Sequence, residues 1–141
     1  MKTKQELRTQ YLQLRNDIPY KDVLDKSRQI IANLVLYQPL INAKTVMSYM
    51  PKGNEADLVA LDIQLWESGR KILIPVCTNQ YGAMEAAVLC QEELFKLDRD
   101  IFGIWVPKSP QFVAPETIDM VLVPGVAFDR QGRRLGHGRG Y

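Results

Sequence analysis

Apolar residues recur at helical spacing in two segments near the start of the chain. Residues 3–16 contain an apolar stripe at the i, i+4, i+7 spacing of a half-buried helix, with a basic stripe beside it. Residues 21–37 repeat the helical spacing, and Pro39 closes this second segment because proline cannot continue a helix interior. We predict two amphipathic helices, with buried stripes formed by Leu7, Tyr11 and Leu14 in the first and by Val23, Ile30, Ile31 and Leu34 in the second.

The next part of the chain alternates strand-like and helix-like patterns. Residues 45–50 are rich in β-branched and aromatic side chains, and residues 71–76 form a second apolar run, so both are predicted to be strands. Between them, residues 55–68 have helical spacing, with Asn54 as the predicted N-cap and Glu55 in the first turn. A strand, a helix and a strand in this order imply a right-handed crossover and parallel strands.

The remaining patterns add further strands and a long loop. Residues 84–90 are strand-like, while residues 94–115 are mixed and proline-rich, which predicts an extended loop with a short strand near residues 104–106. Residues 120–123 form an apolar run without alternation, which is typical of a strand covered on both faces. The predicted fold class is α/β: a single three-layer domain over residues 1–141, with a mainly parallel sheet flanked by helices.

Composition supports one ordinary globular domain. The chain has 141 residues, of which 46% are hydrophobic and 24% charged. A formal net charge of +2 is too small to argue for nucleic acid or membrane as a partner. No apolar segment approaches the roughly 20 residues that span a bilayer, and the N-terminus has no signal-peptide core. We therefore expect a cytoplasmic protein that binds neither membrane nor nucleic acid. A monomer is the expected oligomeric state, although no sequence feature determines it.

Cysteine and histidine usage limits the possible chemistry. Cys77 and Cys90 lack histidine neighbours, which argues against a zinc site and favours reduced thiols. His137 is the single histidine of the chain, so a nucleophilic triad or a metal site made of imidazoles has too few members.

A glycine-rich basic loop follows the last apolar run. Residues 129–141 carry four arginines and four glycines, and the glycines occupy every second position from 136 to 140. Glycine lets backbone N–H groups approach an anion closely, and arginine adds forked donors that suit phosphate. Open α/β sheets bind their ligands at loops that follow strands, so this loop is a candidate phosphate site. The alternative from composition alone is a flexible charged terminus.

Two further positions are candidates for ligand contacts. Lys4 and Arg8 lie in the first turns of a predicted helix, where cations oppose the macrodipole unless an anion is close by. Glu55 follows a strand, at the edge of the sheet where ligands bind. The alternatives are a solvated basic face for the cations and a purely structural role at the helix start for Glu55.

Three motifs together resemble one enzyme family. The run VPGVAFDRQGRRLGHGRGY, residues 123–141, resembles the signature of the 5-formyltetrahydrofolate cyclo-ligase family. KQELR, residues 4–8, is similar to the family's opening K-xx-LR motif, and YMPKGNE, residues 49–55, is similar to the motif that ends in its folate-binding glutamate. The family pattern continues after Tyr141 with a second tyrosine, a metal-binding aspartate and an arginine. The resemblance implies a cyclo-ligase-like domain that lacks the family's C-terminal segment.

The resemblance implies a reaction and a set of site residues. ATP would activate the formyl oxygen of 5-formyltetrahydrofolate, and ring closure would give 5,10-methenyltetrahydrofolate, ADP and phosphate. Magnesium is expected with the ATP, but its usual aspartate ligand falls beyond Tyr141, so weak or absent activity is expected of this chain. Arg139 is the catalytic candidate, because it could stabilise transition-state charge. The folate-binding candidates are Met50, Glu55, His137, Gly138, Arg139, Gly140 and Tyr141, and the ATP-binding candidates are Lys4, Gln5, Glu6, Leu7, Arg8, Arg134, Leu135, Gly136, His137, Gly138, Arg139, Gly140 and Tyr141.

Two alternative functions remain open at this point. The first is a non-catalytic α/β module that binds a phosphorylated ligand or a nucleic acid through its basic loop. The second is an enzyme similar to a sugar-phosphate isomerase, which needs a general base near the phosphate loop. Asp129 is the candidate for that base.

Overall fold

The computed structural model describes residues 1–79 and 82–138. Within these ranges no helix is long and apolar enough to cross a membrane. The helices are α1 Lys4–Asn16, α2 Tyr20–Leu34, α3 Gln38–Asn42 and α4 Val59–Glu67. The strands are β1 Thr45–Met47, β2 Lys71–Cys77, β3 Met84–Val88, β4 Asp98–Arg99, β5 Trp105–Val106, β6 Phe112–Val113, β7 Met120–Val121, β8 Ala127–Phe128 and β9 Arg134–Leu135, and 3₁₀ turns occupy Gln91–Glu93 and Pro115–Thr117.

The central sheet has five strands in the order β6, β3, β2, β1, β7. Strand β1 pairs in parallel with both β2 and β7, with Val46 opposite Ile72 on one side and Met120 on the other. This confirms the predicted α/β class and the parallel pairing of the two strands that α4 connects. Strands β3 and β6 join by antiparallel pairing, so the sheet is mixed around a parallel centre. Strands β4 and β5, and likewise β8 and β9, form separate antiparallel pairs.

The main core cluster packs helices onto one face of this sheet. Side chains from α2, α3 and α4 meet β1 and β2, and Leu61 and Ile72 are completely buried. Burial of a side chain of this size contributes about 1.5–3 kcal/mol, which holds α4 across the parallel strands. A smaller cluster, made by Met47, Leu73 and Ala86, uses the alternate strand positions.

A carboxyl group lies within the main core. Asp62 of α4 is 0% exposed, and neither of its Oδ atoms has a hydrogen-bond partner among the described residues. Ser48, which follows β1, is also buried, and its Oγ has no partner there either. Burial raises the pKa of Asp62 to about 7, the nearby Ser48 hydroxyl offsets part of the rise, and the charge of Asp57 adds to it. Asp62 is therefore a neutral acid over a wide range of pH.

Helix α1 packs on the rest of the protein through the face that carries its arginines, and not through its predicted apolar stripe. Tyr11 and Leu14 of the predicted stripe are 41% and 53% exposed, so the predicted orientation is wrong. The partly buried positions include Arg8, Leu12 and Arg15, which share the i, i+4, i+7 spacing on another face. The two arginines find carbonyl acceptors on the C-terminal segment, and these contacts set the orientation of α1.

Three predicted boundaries are also wrong. Helix α2 ends at Leu34, and Ile30 of its predicted stripe is 41% exposed. Pro39 does not close α2 but lies in the first turn of α3, where a missing N–H costs nothing. Helix α4 begins at Val59, so Glu55 precedes the helix by a whole turn.

Strand β7, at the edge of the sheet, is covered on one face only, whereas coverage on both faces was predicted. Val121 and Val123 are 49% and 50% exposed, and Met120 and Leu122 pack on the main core. The run alternates between a buried and an open face, although all four side chains are apolar. The predicted strands at residues 84–90 and 104–106 are confirmed as β3 and β5.

Candidate functional site

Glu55 is held in a tight loop between β1 and α4. Its side chain is 9% exposed, and Oε2 accepts a hydrogen bond from the Lys52 N–H at 2.8 Å. The Tyr49 hydroxyl donates to Ala56 O at 2.8 Å, and burial raises the pKa of Tyr49, so the hydroxyl stays a donor. Gly53 has a φ of +58°, a conformation that favours glycine and reverses the chain. The predicted place of Glu55 in a helical first turn is wrong, because α4 begins only at Val59 and Glu55 lies in the loop before it.

Asn54 caps a different helix from the predicted one. Its Nδ2 lies 3.0 Å from Arg15 O, 2.9 Å from Ile18 O and 3.3 Å from Asn16 O. These carbonyls lie in the last turn of α1 and just after it, where the helix leaves C=O groups that need further donors. Asn54 is therefore not the N-cap of α4, whose N-cap position is Leu58. It joins the loop that carries Glu55 to the C-terminal end of α1.

The inward face of α1 also reaches the glycine-rich loop. Arg8 Nε donates to Gly136 O at 2.8 Å. The guanidinium lies against Gly138, where an added Cβ would stand 3.0 Å from Arg8 Cζ and where φ is +91°. Within the described residues, no hydrogen bond occupies the Nη groups of Arg8 or the N–H groups of residues 136–138. These donors are available to a polyanion.

His137 joins the glycine-rich loop to Glu55. Its Nε2 lies 3.3 Å from Glu55 Oε1. A carboxylate can only accept, so the pair is a hydrogen bond when Nε2 carries a proton. The imidazole is 45% exposed and the carboxylate 9% exposed, so the pair lies at the mouth of the site. The predicted residues Arg8, Gly136, His137, Gly138 and Glu55 thus meet at one place.

A groove of about 410 Å³ starts beside Glu55 and runs between α2 and residues 122–128. Its walls are mainly apolar and include Tyr49 and Phe128. Such a shape, with few polar groups, suits a flat organic ligand. Phe128 was not predicted to line the site, because a lone aromatic residue after a strand carries no distinguishing pattern.

Arg15 is a second candidate site residue that was not predicted from the sequence. Its Nη1 lies 3.3 Å from Gly125 O, and its Nε is buried without a partner among the described residues. Arg8 and Arg15 are seven positions apart, which places them on one helix face. From this spacing alone, Arg15 could have been predicted to face the site together with Arg8.

The β8 and β9 hairpin positions another predicted arginine. Arg134 Nη1 donates to Pro124 O at 3.1 Å. In the turn, Asp129 accepts from Arg133 N at 2.9 Å, Arg133 Nε at 2.6 Å and Gln131 N at 2.9 Å. The bonds from Arg133 hold the pKa of Asp129 below its usual value. Asp129 is thereby committed to the turn, which removes the general base that an isomerase would need.

The other predicted residues lie in different environments. Glu6 completes a capping box with Thr3, in which Thr3 N donates to Glu6 Oε2 at 2.7 Å and Glu6 N donates to Thr3 Oγ1 at 3.2 Å. These bonds lower the pKa of Glu6 and commit its carboxylate to the start of α1. Met50 is buried in the main core, so its ligand contact stays a prediction. Lys4 and Gln5 are exposed, Leu7 and Leu135 are partly buried, and Arg139, Gly140 and Tyr141 lie outside the described residues.

The described residues contain no group of three or more His, Cys, Asp or Glu side chains that could hold a metal ion. What the site offers is cationic and N–H donors beside a fixed carboxylate. Such a set is suited to an anion that lies beside a group that donates hydrogen bonds.

The comparisons with known proteins agree with one another. The model of the 5-formyltetrahydrofolate cyclo-ligase family matches residues 1–141. A 5-formyltetrahydrofolate cyclo-ligase of Mycolicibacterium smegmatis is 34% identical over 99% of this chain and 73% of its own length. The enzyme of that name from Escherichia coli K12 is 29% identical over 83% of this chain and 65% of its own length.

Solved structures give the same result. The NMR structure of Aquifex aeolicus 5,10-methenyltetrahydrofolate synthetase superposes with a TM-score of 0.83 at 30% identity, over 98% of this chain and 69% of that protein. The Mycoplasma pneumoniae 5,10-methenyltetrahydrofolate synthetase shares the fold with a TM-score of 0.69. The chain spans about two thirds to three quarters of the length of these relatives.

Proposed function

We propose that this chain, which belongs to the 5-formyltetrahydrofolate cyclo-ligase family, converts 5-formyltetrahydrofolate and ATP to 5,10-methenyltetrahydrofolate, ADP and phosphate. The formyl oxygen attacks the γ-phosphorus of ATP, and the bond from that phosphorus to the bridging oxygen breaks, which releases ADP. A neighbouring N–H nitrogen of the folate then attacks the activated formyl carbon and forms the new C–N bond, and its proton passes to solvent. The phosphorylated oxygen departs as phosphate.

The observation that carries this proposal is the contact between Arg8 and the glycine-rich loop, two segments that lie 128 positions apart. Phosphoryl transfer depends mainly on positioning and on charge neutralisation, so the protein must present fixed donors to the phosphates. The bond from Nε to Gly136 O fixes the guanidinium and leaves both Nη groups for phosphate oxygens. Together with the N–H groups of residues 136–138 they form the proposed phosphate site, and Arg139 remains the proposed transition-state cation.

Glu55 is the proposed anchor of the folate ring. A pterin presents an amino group and a ring N–H along one edge, and a carboxylate accepts from such a pair of donors. Each Glu55 oxygen already accepts from one protein group, Lys52 N or His137 Nε2. Because a carboxylate offers about four acceptor positions, one on each oxygen remains for the ring. The apolar groove beside Glu55 would receive the rest of the folate.

Magnesium is proposed to enter with the nucleotide. Magnesium is usually held by one or two carboxylates together with substrate phosphates, and the described residues provide no carboxylate cluster beside the glycine-rich loop. No step of the reaction is therefore assigned to a protein-held metal. A cytoplasmic location and a monomeric state complete the proposal.

Replacing Glu55 by glutamine tests the folate assignment. Glu55→Gln removes the charge and one of the two acceptors, so the affinity for 5-formyltetrahydrofolate should fall about tenfold or more, the effect of losing hydrogen bonds to a charged group. Isothermal titration calorimetry measures this fall, with ATP binding in the absence of folate as the internal reference. Glu67→Gln, on the exposed side of α4, is the matched control. Unchanged folate affinity in Glu55→Gln, or wild-type protein that binds neither ligand, would overturn the proposal.

A further inference from the structure

In the described part of the chain, the side chain of His137 joins the glycine-rich loop to Glu55. The glycine-rich loop is the proposed phosphate site, and Glu55 is the proposed folate anchor. The imidazole therefore connects two sites that bind different molecules. A residue in this position can transmit the occupancy of one site to the other if each ligand orders it.

Arg8 links His137 to the proposed nucleotide site. The residues on either side of His137 both touch Arg8, since Gly136 O accepts from Nε at 2.8 Å and Gly138 lies against the guanidinium. An anion that binds Arg8 and the neighbouring N–H groups holds these two glycines in place. Ordering of the loop then fixes the backbone of His137 as well.

One oxygen of Glu55 links His137 to the proposed folate site. Oε2 is occupied by the Lys52 N–H inside the loop, whereas Oε1 has His137 as its partner. The carboxylate is 9% exposed, so loss of the imidazole would leave a poorly hydrated oxygen short of a donor. The imidazole is 45% exposed, and it can leave this position without disturbing the core.

We propose that the His137 imidazole couples the two binding sites, so that a bound nucleotide holds His137 against Glu55 and thereby raises the affinity for folate. This inference rests on the proposed function. His137 is a positioning residue here, because it acts on the substrate through the orientation of Glu55. Coupling is reciprocal, so bound folate raises the affinity for nucleotide by the same factor.

The test is a ratio of two dissociation constants for 5-formyltetrahydrofolate, measured by calorimetry without and with a saturating non-hydrolysable ATP analogue. For the wild type the analogue should tighten folate binding about fivefold or more, the lower end of typical couplings. In His137→Ala the ratio should fall to about one, whatever the separate affinities are. His137→Gln keeps an N–H donor at a similar reach and should restore most of the ratio. Gln131→Ala, in the exposed hairpin turn, is the control and should keep the wild-type ratio.

The outcomes separate this inference from the function on which it rests. A wild type that binds both ligands with a ratio of one, or a His137→Ala protein that keeps the wild-type ratio, overturns the coupling and leaves the proposed function intact. A wild type that binds neither ligand overturns both. Loss of the ratio in His137→Ala together with its recovery in His137→Gln supports the coupling, because a purely structural defect would not follow the N–H donor.

Discussion

The buried carboxyl of Asp62 should make the stability of this protein depend on pH in a defined direction. Asp62 is 0% exposed and has no hydrogen-bond partner for either oxygen in the described ranges. Its pKa rises from an ordinary 3.8 to about 7 on folding. Between these values the unfolded chain has released a proton that the folded protein still holds. Raising the pH through this interval therefore favours unfolding.

The size of the effect follows from the pKa shift. A pKa difference of one between the folded and unfolded states corresponds to about 1.4 kcal/mol. The rise of the Asp62 pKa from 3.8 to about 7 therefore lowers the unfolding free energy by at most about 4 kcal/mol above pH 7. The cost is absent below about pH 4, where the carboxyl is neutral in both states. It grows from about pH 4 to pH 7 and is constant above that.

Asp62→Asn removes the titration while keeping the shape of the side chain. We expect its unfolding free energy, relative to wild type, to rise by up to about 4 kcal/mol between pH 4 and pH 8. Urea denaturation followed by circular dichroism at several pH values measures this difference. Asp22→Asn, at an exposed position of α2, is the matched control and should show a much smaller change. A difference between Asp62→Asn and wild type that stays constant from pH 4 to pH 8 would refute the reasoning, because it would mean that the folded protein does not hold the proton.

Two further predictions concern the contacts of α1. Gly138→Ala places a Cβ 3.0 Å from Arg8 Cζ and should weaken ATP binding about tenfold in calorimetry, the worth of one charge-assisted hydrogen bond. Gly132→Ala, where φ is also positive but no atom lies within 4 Å, should bind ATP as the wild type does, and equal losses in the two variants would contradict the role of the Arg8 contact. Asn54→Ala removes the donor to three carbonyls at the end of α1 and should lower the unfolding free energy by about 1–3 kcal/mol in chemical denaturation. Asn54→Asp, which has the same size but no N–H donor, should be at least as destabilising, and wild-type stability in it would be inconsistent with the capping role.

The elements of the sheet could largely be predicted, because their signal is local. Apolar runs bounded by proline and glycine marked β1 and β2, and the helical pattern between them implied the parallel pairing that is observed. The motifs at both ends of the chain indicated a shared site, and the bond from Arg8 to Gly136 brings those segments together. The coarse architecture and the family could therefore be inferred from the residues alone.

The missed features all depend on contacts between distant segments. The predicted orientation of α1 was wrong, because periodicity identifies the faces of a helix but does not say which face packs on the protein. Here the face with Arg8 and Arg15 packs inward, because both arginines bond to carbonyl oxygens of the C-terminal segment. Asn54 was assigned to the nearest helix, whereas its acceptors lie 36 to 39 positions earlier. The pairing of His137 with Glu55 spans 82 positions, and no spacing rule links the two.

Helix α1 contains no buried residue and is attached to the rest of the molecule mainly through Arg8, Arg15 and the carbonyls that Asn54 binds. With so little apolar anchorage, its detachment is among the least costly local openings of the fold. One such event would withdraw Arg8 from the proposed phosphate site and release the turn that bears Glu55, while the sheet stayed intact. The proposed site would then come apart and re-form as a unit, without unfolding of the domain.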